Sequence, residues 1–124
     1  MTTTDSPAAT ADRDAATVRA IYEAFGRGDV PAILERLADD VEWERFGEDH
    51  GVPWLEPGQG KEHAAGFFGR LAGSLELTRF EPQAAAVGDG LVVVPVLVEG
   101  RVLHNGVVFE DYDVHLWWLD ADGR

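Results

Sequence analysis

The residues best suited to chemistry lie in one run near the carboxyl end of the chain, from Phe109 to Leu119. The run is strand-like, and successive side chains of a strand point to opposite faces. One face would carry Phe109, Asp111, Asp113, His115, Trp117 and Leu119. A carboxylate, an imidazole and an indole on one face are costly to bury as packing alone, because buried polar groups need partners. The pattern indicates the wall of a pocket for a small, mostly apolar molecule.

Two of these residues, His115 and Asp113, are candidates for proton transfer. An unperturbed histidine changes charge near neutral pH, and a carboxylate two residues along the same strand lies within reach, directly or through a water. The pair is either an acid–base group with its orienting partner or two polar residues that only satisfy each other. The residues alone leave both interpretations open.

Composition narrows the class of protein. The chain has 124 residues, enough for one domain, and a net charge of −13 that disfavours nucleic acid and anionic membranes as partners. Cysteine is absent, and the longest apolar run, Leu91 to Val98, is too short to span a bilayer. Met1 to Asp14 lacks the features of a secretory signal, so we expect a cytoplasmic protein. No histidine pair has metal-ligand spacing and no glycine-rich phosphate loop is present, so we expect neither metal nor cofactor.

Three helices are predicted in the first 72 residues. Residues 1–12 are rich in Thr, Ala, Ser and Asp and are interpreted as a flexible tail. Helical spacing then predicts a first helix that ends at Gly26, and Asp29 is the expected N-cap of a second. A third helix is predicted from Lys61 to Ala72, with Phe67 facing inward.

The strands follow the helices, apart from a short one predicted from Val41 to Phe46. A long loop, Gly47 to Gly60, separates that strand from the third helix, and loops of this length often carry function. Asn105-Gly106 predicts a tight type I′ hairpin, because both residues tolerate a positive φ. The remaining predicted strands are Leu75 to Glu81 continuing toward Val87, Leu91 to Leu103, and Val107 to Leu119. This order predicts an α+β fold with helices against one face of a curved antiparallel sheet.

The ordered set of motifs resembles a known family. The matching segments are Tyr22 to Val30, Leu37 to Trp43, Gly60-Lys61-Glu62, His115-Leu116-Trp117 and Asp120 to Arg124. From about residue 14 to the end, the chain resembles the SnoaL-like and ketosteroid-isomerase-related branch of the nuclear-transport-factor-2-like superfamily. The resemblance implies one domain, residues 13–124, with a cone-shaped barrel in which three helices close an apolar cavity. It also implies frequent dimerisation through the sheet. The family continues past the Asp122-Gly123-Arg124 turn with one more strand, which we expect to be missing here.

The resemblance also suggests roles for individual residues. His115 falls where ketosteroid isomerases place the protonated aspartate of their oxyanion hole, and Tyr22 lies near their helix-one tyrosine. Arg45 takes the position of their general base and cannot act as one, so ordinary 3-ketosteroid isomerisation is not expected. Trp54 lies in the long loop, which in this family covers the cavity. Four residues are expected to contact ligand: Trp43, Trp54, Trp117 and Phe67.

Two functions fit these expectations. The first is a small enzyme without a cofactor that acts by acid–base chemistry, as an isomerase, cyclase or hydrolase, on an apolar molecule. His115 would be the acid or base, Asp113 its orienting partner, and Arg45 or Tyr22 a stabiliser of negative charge. The second is a binding or dimerisation module of the same fold without turnover. Because Leu91 to Val98 is apolar on both faces and helices cover only one, we expect a homodimer through the other.

Overall fold

The computed structural model describes residues 7–43 and 57–120. Three helices are present in these ranges: α1 (Pro7–Gly26), α2 (Val30–Glu35) and α3 (Lys61–Ser74). Six strands accompany them: β1 (Glu42–Trp43), β2 (Gly58–Gln59), β3 (Leu75–Pro82), β4 (Ala86–Gly88), β5 (Leu91–Val102) and β6 (Val108–Trp118). Within the described ranges, no helix has the length and apolar character needed to cross a bilayer.

The main sheet is built around β5. This strand pairs with β6 along its length, from Leu91 opposite Trp118 to Arg101 opposite Val108. On its other side β5 pairs first with β4, from Leu91 to Val93, and then with β3, from Val96 to Val102, and every pairing is antiparallel. The short strands β1 and β2 form a separate antiparallel pair. Among the described residues, hydrogen bonds do not close the sheet into a full barrel. The predicted α+β fold with helices and a curved antiparallel sheet is confirmed.

The core lies between the helices and the inner face of this sheet. Alternate residues of β5 are buried, as expected for a strand covered on one side: Val92, Val94, Val96 and Val98. Val18 of α1 packs on this row, whereas Ile21 and Ala24 of the same helix pack with α2 and α3. The α1 helix therefore links both halves of the core, and its inward face is positioned over the strands that carry the candidate site.

The junction between α1 and α2 follows the sequence prediction. The first helix ends at Gly26, and Gly28 has a φ of 71°, which glycine adopts without steric cost. The Asp29 side chain then accepts a hydrogen bond of 3.2 Å from the Ala32 amide, which confirms it as the N-cap of α2. This turn fixes the direction of α2 relative to α1.

The predicted tail was partly wrong. The α1 helix begins at Pro7, so residues 7–12 are helical, and residues 1–6 lie outside the described part of the chain. Proline is tolerated in the first turn of a helix, and the alanines that follow it have the highest helix propensity. The segment is also rich in Thr, Ser and Asp, and this composition led to its interpretation as a tail despite the helix propensity of its alanines.

The hairpin between β5 and β6 forms, but not through the predicted type I′ turn. Only Gly106 of the Asn105-Gly106 pair has a positive φ, of 73°. The Gly106 amide donates to the Val102 carbonyl at 2.8 Å, and the Asn105 side chain accepts from the Val107 amide at 3.0 Å. Asn105 thus caps the loop through its side chain rather than by adopting the left-handed conformation, and the loop is longer than two residues.

Candidate functional site

The inner face of β6 carries the residues that the sequence singled out. Asp113, His115 and Trp117 are partly buried, whereas the alternate residues Tyr112 and Val114 are each 58% exposed. In the register of the sheet these inner residues lie opposite the buried valines of β5, with Val94 opposite His115. The alternation expected of a strand with one covered face is confirmed.

A chain of hydrogen bonds joins this face to α1. The Trp117 indole N–H donates to the Tyr22 hydroxyl oxygen at 3.0 Å. That oxygen lies 2.6 Å from Nδ1 of His115, a short hydrogen-bond distance. The Tyr22 and His115 rings are also nearly parallel, with an interplanar angle of 15° and centroids 5.8 Å apart. The structure therefore brings together three of the residues predicted to form the site.

Burial keeps the two titratable side chains of this hydrogen-bonded group, His115 and Tyr22, neutral at pH 7. Desolvation lowers the pKa of His115, because its charged form loses contact with water. Desolvation also raises the pKa of Tyr22 to about 12, although the hydrogen bond from Trp117 acts in the opposite direction. A neutral imidazole and a neutral phenol face each other, so their hydrogen bond can run in either direction.

The direction of that bond determines what the site offers to a ligand. If the Tyr22 hydroxyl donates to Nδ1, the ring proton of His115 is on Nε2, which is then a hydrogen-bond donor. If Nδ1 carries the proton, it donates to the Tyr22 oxygen, Nε2 becomes a base, and the phenolic hydrogen turns away from the histidine. Trp117 donates in both cases, because an indole N–H can only donate. The same three residues can thus present a hydrogen-bond donor or a base.

Aromatic rings surround these polar groups. Trp43 at the end of β1 contacts Phe67 and Phe68 of α3, with ring centroids 5.0 Å and 5.7 Å away. It also packs edge-on against Trp117, at 6.3 Å. The indole nitrogen of Trp43 is buried, and among the described residues it has no hydrogen-bond partner. The predicted wall residues Trp43, Phe67 and Trp117 therefore lie in one aromatic cluster.

Phe80 belongs to this cluster although the sequence analysis did not select it. Its ring lies 6.3 Å from His115 and 6.0 Å from Tyr22. Regular alternation from Leu77 would place Phe80 on the other face of β3, but the register shifts between Leu77 and Arg79. A β-bulge of this kind adds one residue and reverses the facing of those that follow.

A cavity of about 470 Å³ adjoins the hydrogen-bonded chain. It lies between α1 and residues 82–85, with Val92 and Val94 of β5 among its lining and Tyr22 in its wall. Its volume is typical of small-molecule sites. Because Tyr22 both lines the cavity and bonds His115, a ligand in this space would touch the residue that controls the imidazole.

The other predicted site residues are placed as follows. Asp113 lies on the same inner face as His115, opposite Val96, and is partly buried. The hydrogen-bond partner of His115 Nδ1 is the Tyr22 hydroxyl, so an orienting role for Asp113 stays a prediction. Arg45, Trp54 and the predicted covering loop lie outside the described residues, apart from residues 57–60.

The sequence profile of the SnoaL-like domain matches residues 18–124. The chain therefore belongs to the SnoaL-like family, within the nuclear-transport-factor-2-like superfamily. No curated protein matches the sequence.

Solved structures agree with this assignment. An NTF2-like protein of unknown function from Burkholderia pseudomallei K96243 superposes with a TM-score of 0.77 and 26% identity, over 88% of this chain and 82% of that one. A protein from Xanthomonas campestris pv. campestris, named as a candidate polyketide cyclase, has a TM-score of 0.68 and 24% identity, over 90% and 84%. TerC, co-crystallised with polyporic acid, has a TM-score of 0.69 and 22% identity, over 88% and 83%. The likeness to the last two proteins shows that they share the fold of this chain.

Proposed function

We propose that this protein is an enzyme without a cofactor that acts by acid–base chemistry on an apolar small molecule. The observation that carries the proposal is the 2.6 Å hydrogen bond between the Tyr22 hydroxyl and Nδ1 of His115. It holds a neutral imidazole in fixed orientation near the ring of Phe80. Tyr22, its partner, also lines a cavity of suitable size. Relatives of the same fold named as a candidate polyketide cyclase, or crystallised with a small molecule, support this class of activity.

The reaction that fits this geometry is proton abstraction from carbon beside a carbonyl group. With Nδ1 protonated and donating to Tyr22, Nε2 of His115 would take the proton. The Tyr22 hydrogen, released from the histidine, would donate to the carbonyl oxygen as that oxygen becomes negative. Return of the proton to another carbon, or attack of the enolate on a second group, would then give isomerisation or ring closure. Asp113 and Arg45 remain proposed contributors to orientation and charge stabilisation.

One observation favours a second candidate, a binding module without turnover. Tyr22 and His115 satisfy each other and are both neutral, so the pair is also a stable structural link. In that case the cavity would bind a ligand but His115 would transfer no proton. The two candidates differ only in whether a proton is exchanged.

Proton exchange can be measured before the substrate is identified. A panel of enolisable cyclic and aromatic ketones is incubated with the protein in D₂O, and deuterium uptake beside the carbonyl is followed by mass spectrometry. The wild type should accelerate uptake in at least one compound. His115→Gln should lower the rate by about 10²–10⁴-fold while binding persists, because glutamine donates a hydrogen bond but exchanges no proton at neutral pH. His104→Gln, in the exposed β5–β6 loop, is the matched control and should leave the rate unchanged.

Two outcomes would count against the proposal. Ligand binding without accelerated uptake across the panel would favour the binding module. Equal rates for the wild type and His115→Gln would show that another group transfers the proton.

A further inference from the structure

Trp117 makes a polar contact to which the proposed proton transfer gives no role. Its indole N–H donates to the Tyr22 hydroxyl oxygen at 3.0 Å. The same oxygen lies 2.6 Å from Nδ1 of His115. Trp117 and His115 are two residues apart on the inner face of β6, so one strand presents two ring nitrogens to a single phenol oxygen of α1. The proposed reaction accounts for the contact with His115 and not for the contact with Trp117.

Packing fixes the direction of the Trp117 indole. The ring packs against both halves of the core, the valine row of β5 and the cluster that joins the three helices. It is edge-on to Tyr22, with ring centroids 5.9 Å apart and an interplanar angle of 87°, and edge-on to Trp43 at 6.3 Å. A ring held on several sides keeps its N–H aimed at one acceptor, so the contact with Tyr22 does not depend on a ligand.

This fixed donor changes what the Tyr22 hydroxyl can do. Because an indole N–H only donates, Trp117 occupies one acceptor position of the phenol oxygen, and the hydroxyl hydrogen must point elsewhere, to Nδ1 of His115 or to a ligand oxygen. An oxygen that accepts one hydrogen bond donates a stronger one, since the two bonds polarise each other in a low-dielectric site. Burial raises the pKa of Tyr22 to about 12, and the hydrogen bond from Trp117 acts against that rise.

Tyr22 is the member of this pair that meets the cavity. It lines the space of about 470 Å³ between α1 and residues 82–85, whereas Trp117 does not. A ligand in that space would contact the phenol and not the indole. Any effect of Trp117 on such a ligand is therefore transmitted through Tyr22.

We propose that Trp117 is a positioning residue, which directs the Tyr22 hydrogen away from itself and makes Tyr22 a stronger hydrogen-bond donor to an oxygen of the substrate. This role rests on the proposed function, in which the phenol donates to the carbonyl oxygen as that oxygen becomes negative. Some negative charge then builds on the phenol oxygen as its hydrogen is shared, and the Trp117 N–H stabilises that charge. The contribution of Trp117 is thus electrostatic, in addition to its packing.

The acidity of Tyr22 measures this effect directly. The two tyrosines of the chain, Tyr22 and Tyr112, are replaced biosynthetically by 3,5-difluorotyrosine, whose phenol loses its proton at a lower pH than that of tyrosine. The ¹⁹F signals are followed against pH, and Tyr112→Phe identifies the signal of Tyr22. Trp117→Phe should raise the pKa of the labelled Tyr22 by about one pH unit or more, the size expected when a charged group loses one hydrogen bond. Trp118→Phe, on the exposed outer face of β6, is the matched control and should leave that pKa unchanged.

The sign of the change separates the hydrogen bond from packing. If Trp117 only packs, the smaller phenylalanine ring admits water to Tyr22, and this relief of burial lowers the pKa of the phenol. If the N–H stabilises charge on the phenol oxygen, its loss raises that pKa. A lowered or unchanged pKa of Tyr22 in Trp117→Phe, or an equal rise in Trp118→Phe, would overturn the proposed role.

A measurement on the otherwise unchanged, labelled protein decides the matter even where Trp117→Phe does not fold. The indole N–H beside Tyr22 is identified, among those of the four tryptophans, by its nuclear Overhauser effect to the Tyr22 fluorine atoms. Its signal should move downfield over the pH range in which Tyr22 loses its proton, because a phenolate accepts a stronger hydrogen bond than a phenol. A signal that stays in place over this range would contradict the proposed role.

Neither measurement requires turnover. A raised pKa of Tyr22 in Trp117→Phe, in a protein that exchanges no protons with any ketone of the panel, would contradict the proposed enzyme and leave the role of Trp117 standing. An unchanged pKa in a protein that does exchange protons would contradict the role of Trp117 and leave the proposed enzyme standing.

Discussion

The Tyr22 hydroxyl lies 2.6 Å from Nδ1 of His115, although 93 residues separate the two in the chain. The contact joins the first helix to the last described strand across the inner face of the sheet. Both groups are held in their neutral form by burial, so the link does not depend on charge. It is at once a tertiary contact and the chemical centre of the site, and its two roles can be tested separately.

Removal of the Tyr22 hydroxyl should reduce stability. Tyr22→Phe keeps the ring but leaves the Trp117 N–H and His115 Nδ1 without their shared partner. Unsatisfied buried polar groups cost about 1–3 kcal/mol, and we expect a loss of that size in the free energy of unfolding measured with urea. Tyr112→Phe is the matched control, because Tyr112 is exposed on the outer face, and should change stability by less than about 0.5 kcal/mol. Equal effects of the two changes would contradict the structural role of the hydroxyl.

Stability should fall below neutral pH because of His115. Burial lowers the pKa of His115, so between that value and about 6.5, the usual value, the unfolded state binds the proton more readily than the folded state. The stability that neutral His115 contributes is complete above about pH 6.5 and is lost as the pH falls toward the pKa of the folded state. For one proton, the free energy of unfolding then changes by at most about 1.4 kcal/mol per pH unit.

The measurement is the free energy of unfolding of the wild type and of His115→Gln between about pH 7.5 and 5.5. The glutamine variant cannot take up this proton, so its stability should vary less with pH over that interval. Parallel curves for the two proteins would mean that His115 titrates alike in the folded and unfolded states.

Local patterns in the sequence predicted much of the fold, whereas the contacts across the sheet could be identified only from the structure. The alternation of β6 correctly placed His115 on the inner face, because one covered face imposes a period of two. The facing of Phe80 could not be predicted, since a bulge before Arg79 reverses that period and leaves no clear mark in the sequence. The pairing of Tyr22 with His115 depends on how α1 crosses the sheet, which no spacing within either segment encodes.

Gly100, the single glycine of β5, should not tolerate a larger side chain. A Cβ added there would lie 2.5 Å from the Glu76 carbonyl oxygen and 3.0 Å from the Phe109 ring. The carbonyl belongs to a paired strand and cannot move aside cheaply, so Gly100→Ala should lower the free energy of unfolding by about 1–3 kcal/mol. Gly88→Ala is the control, because no atom lies within 4 Å of its added Cβ, and should be nearly neutral in the same urea titration. A neutral Gly100→Ala would show that the Glu76 carbonyl and the Phe109 ring can move away from Gly100 at little cost.

The outer face of the sheet carries an apolar surface that we call the outer stripe. It consists of four cross-strand pairs between β5 and β6: Leu91 with Trp118, Val93 with Leu116, Pro95 with Val114, and Leu97 with Tyr112. The β6 members are all exposed, and no described helix covers them. Next to the stripe, Arg79 pairs with Glu81 and Glu99 at 2.9 Å and 3.4 Å, which gives a charged border. An apolar patch bordered by charges is typical of a protein interface.

We therefore predict a homodimer formed through the outer stripe. Leu116→Lys places a charge in the middle of the stripe, and desolvating it without a partner is costly, so the variant should be monomeric. Leu103→Lys introduces the same charge at a residue of similar exposure, 46% against 43%, in the loop before β6, and should leave the dimer intact. Sedimentation equilibrium at micromolar concentration distinguishes these states. A monomeric wild type, or dissociation of both variants alike, would mean that the outer stripe is not where two copies meet.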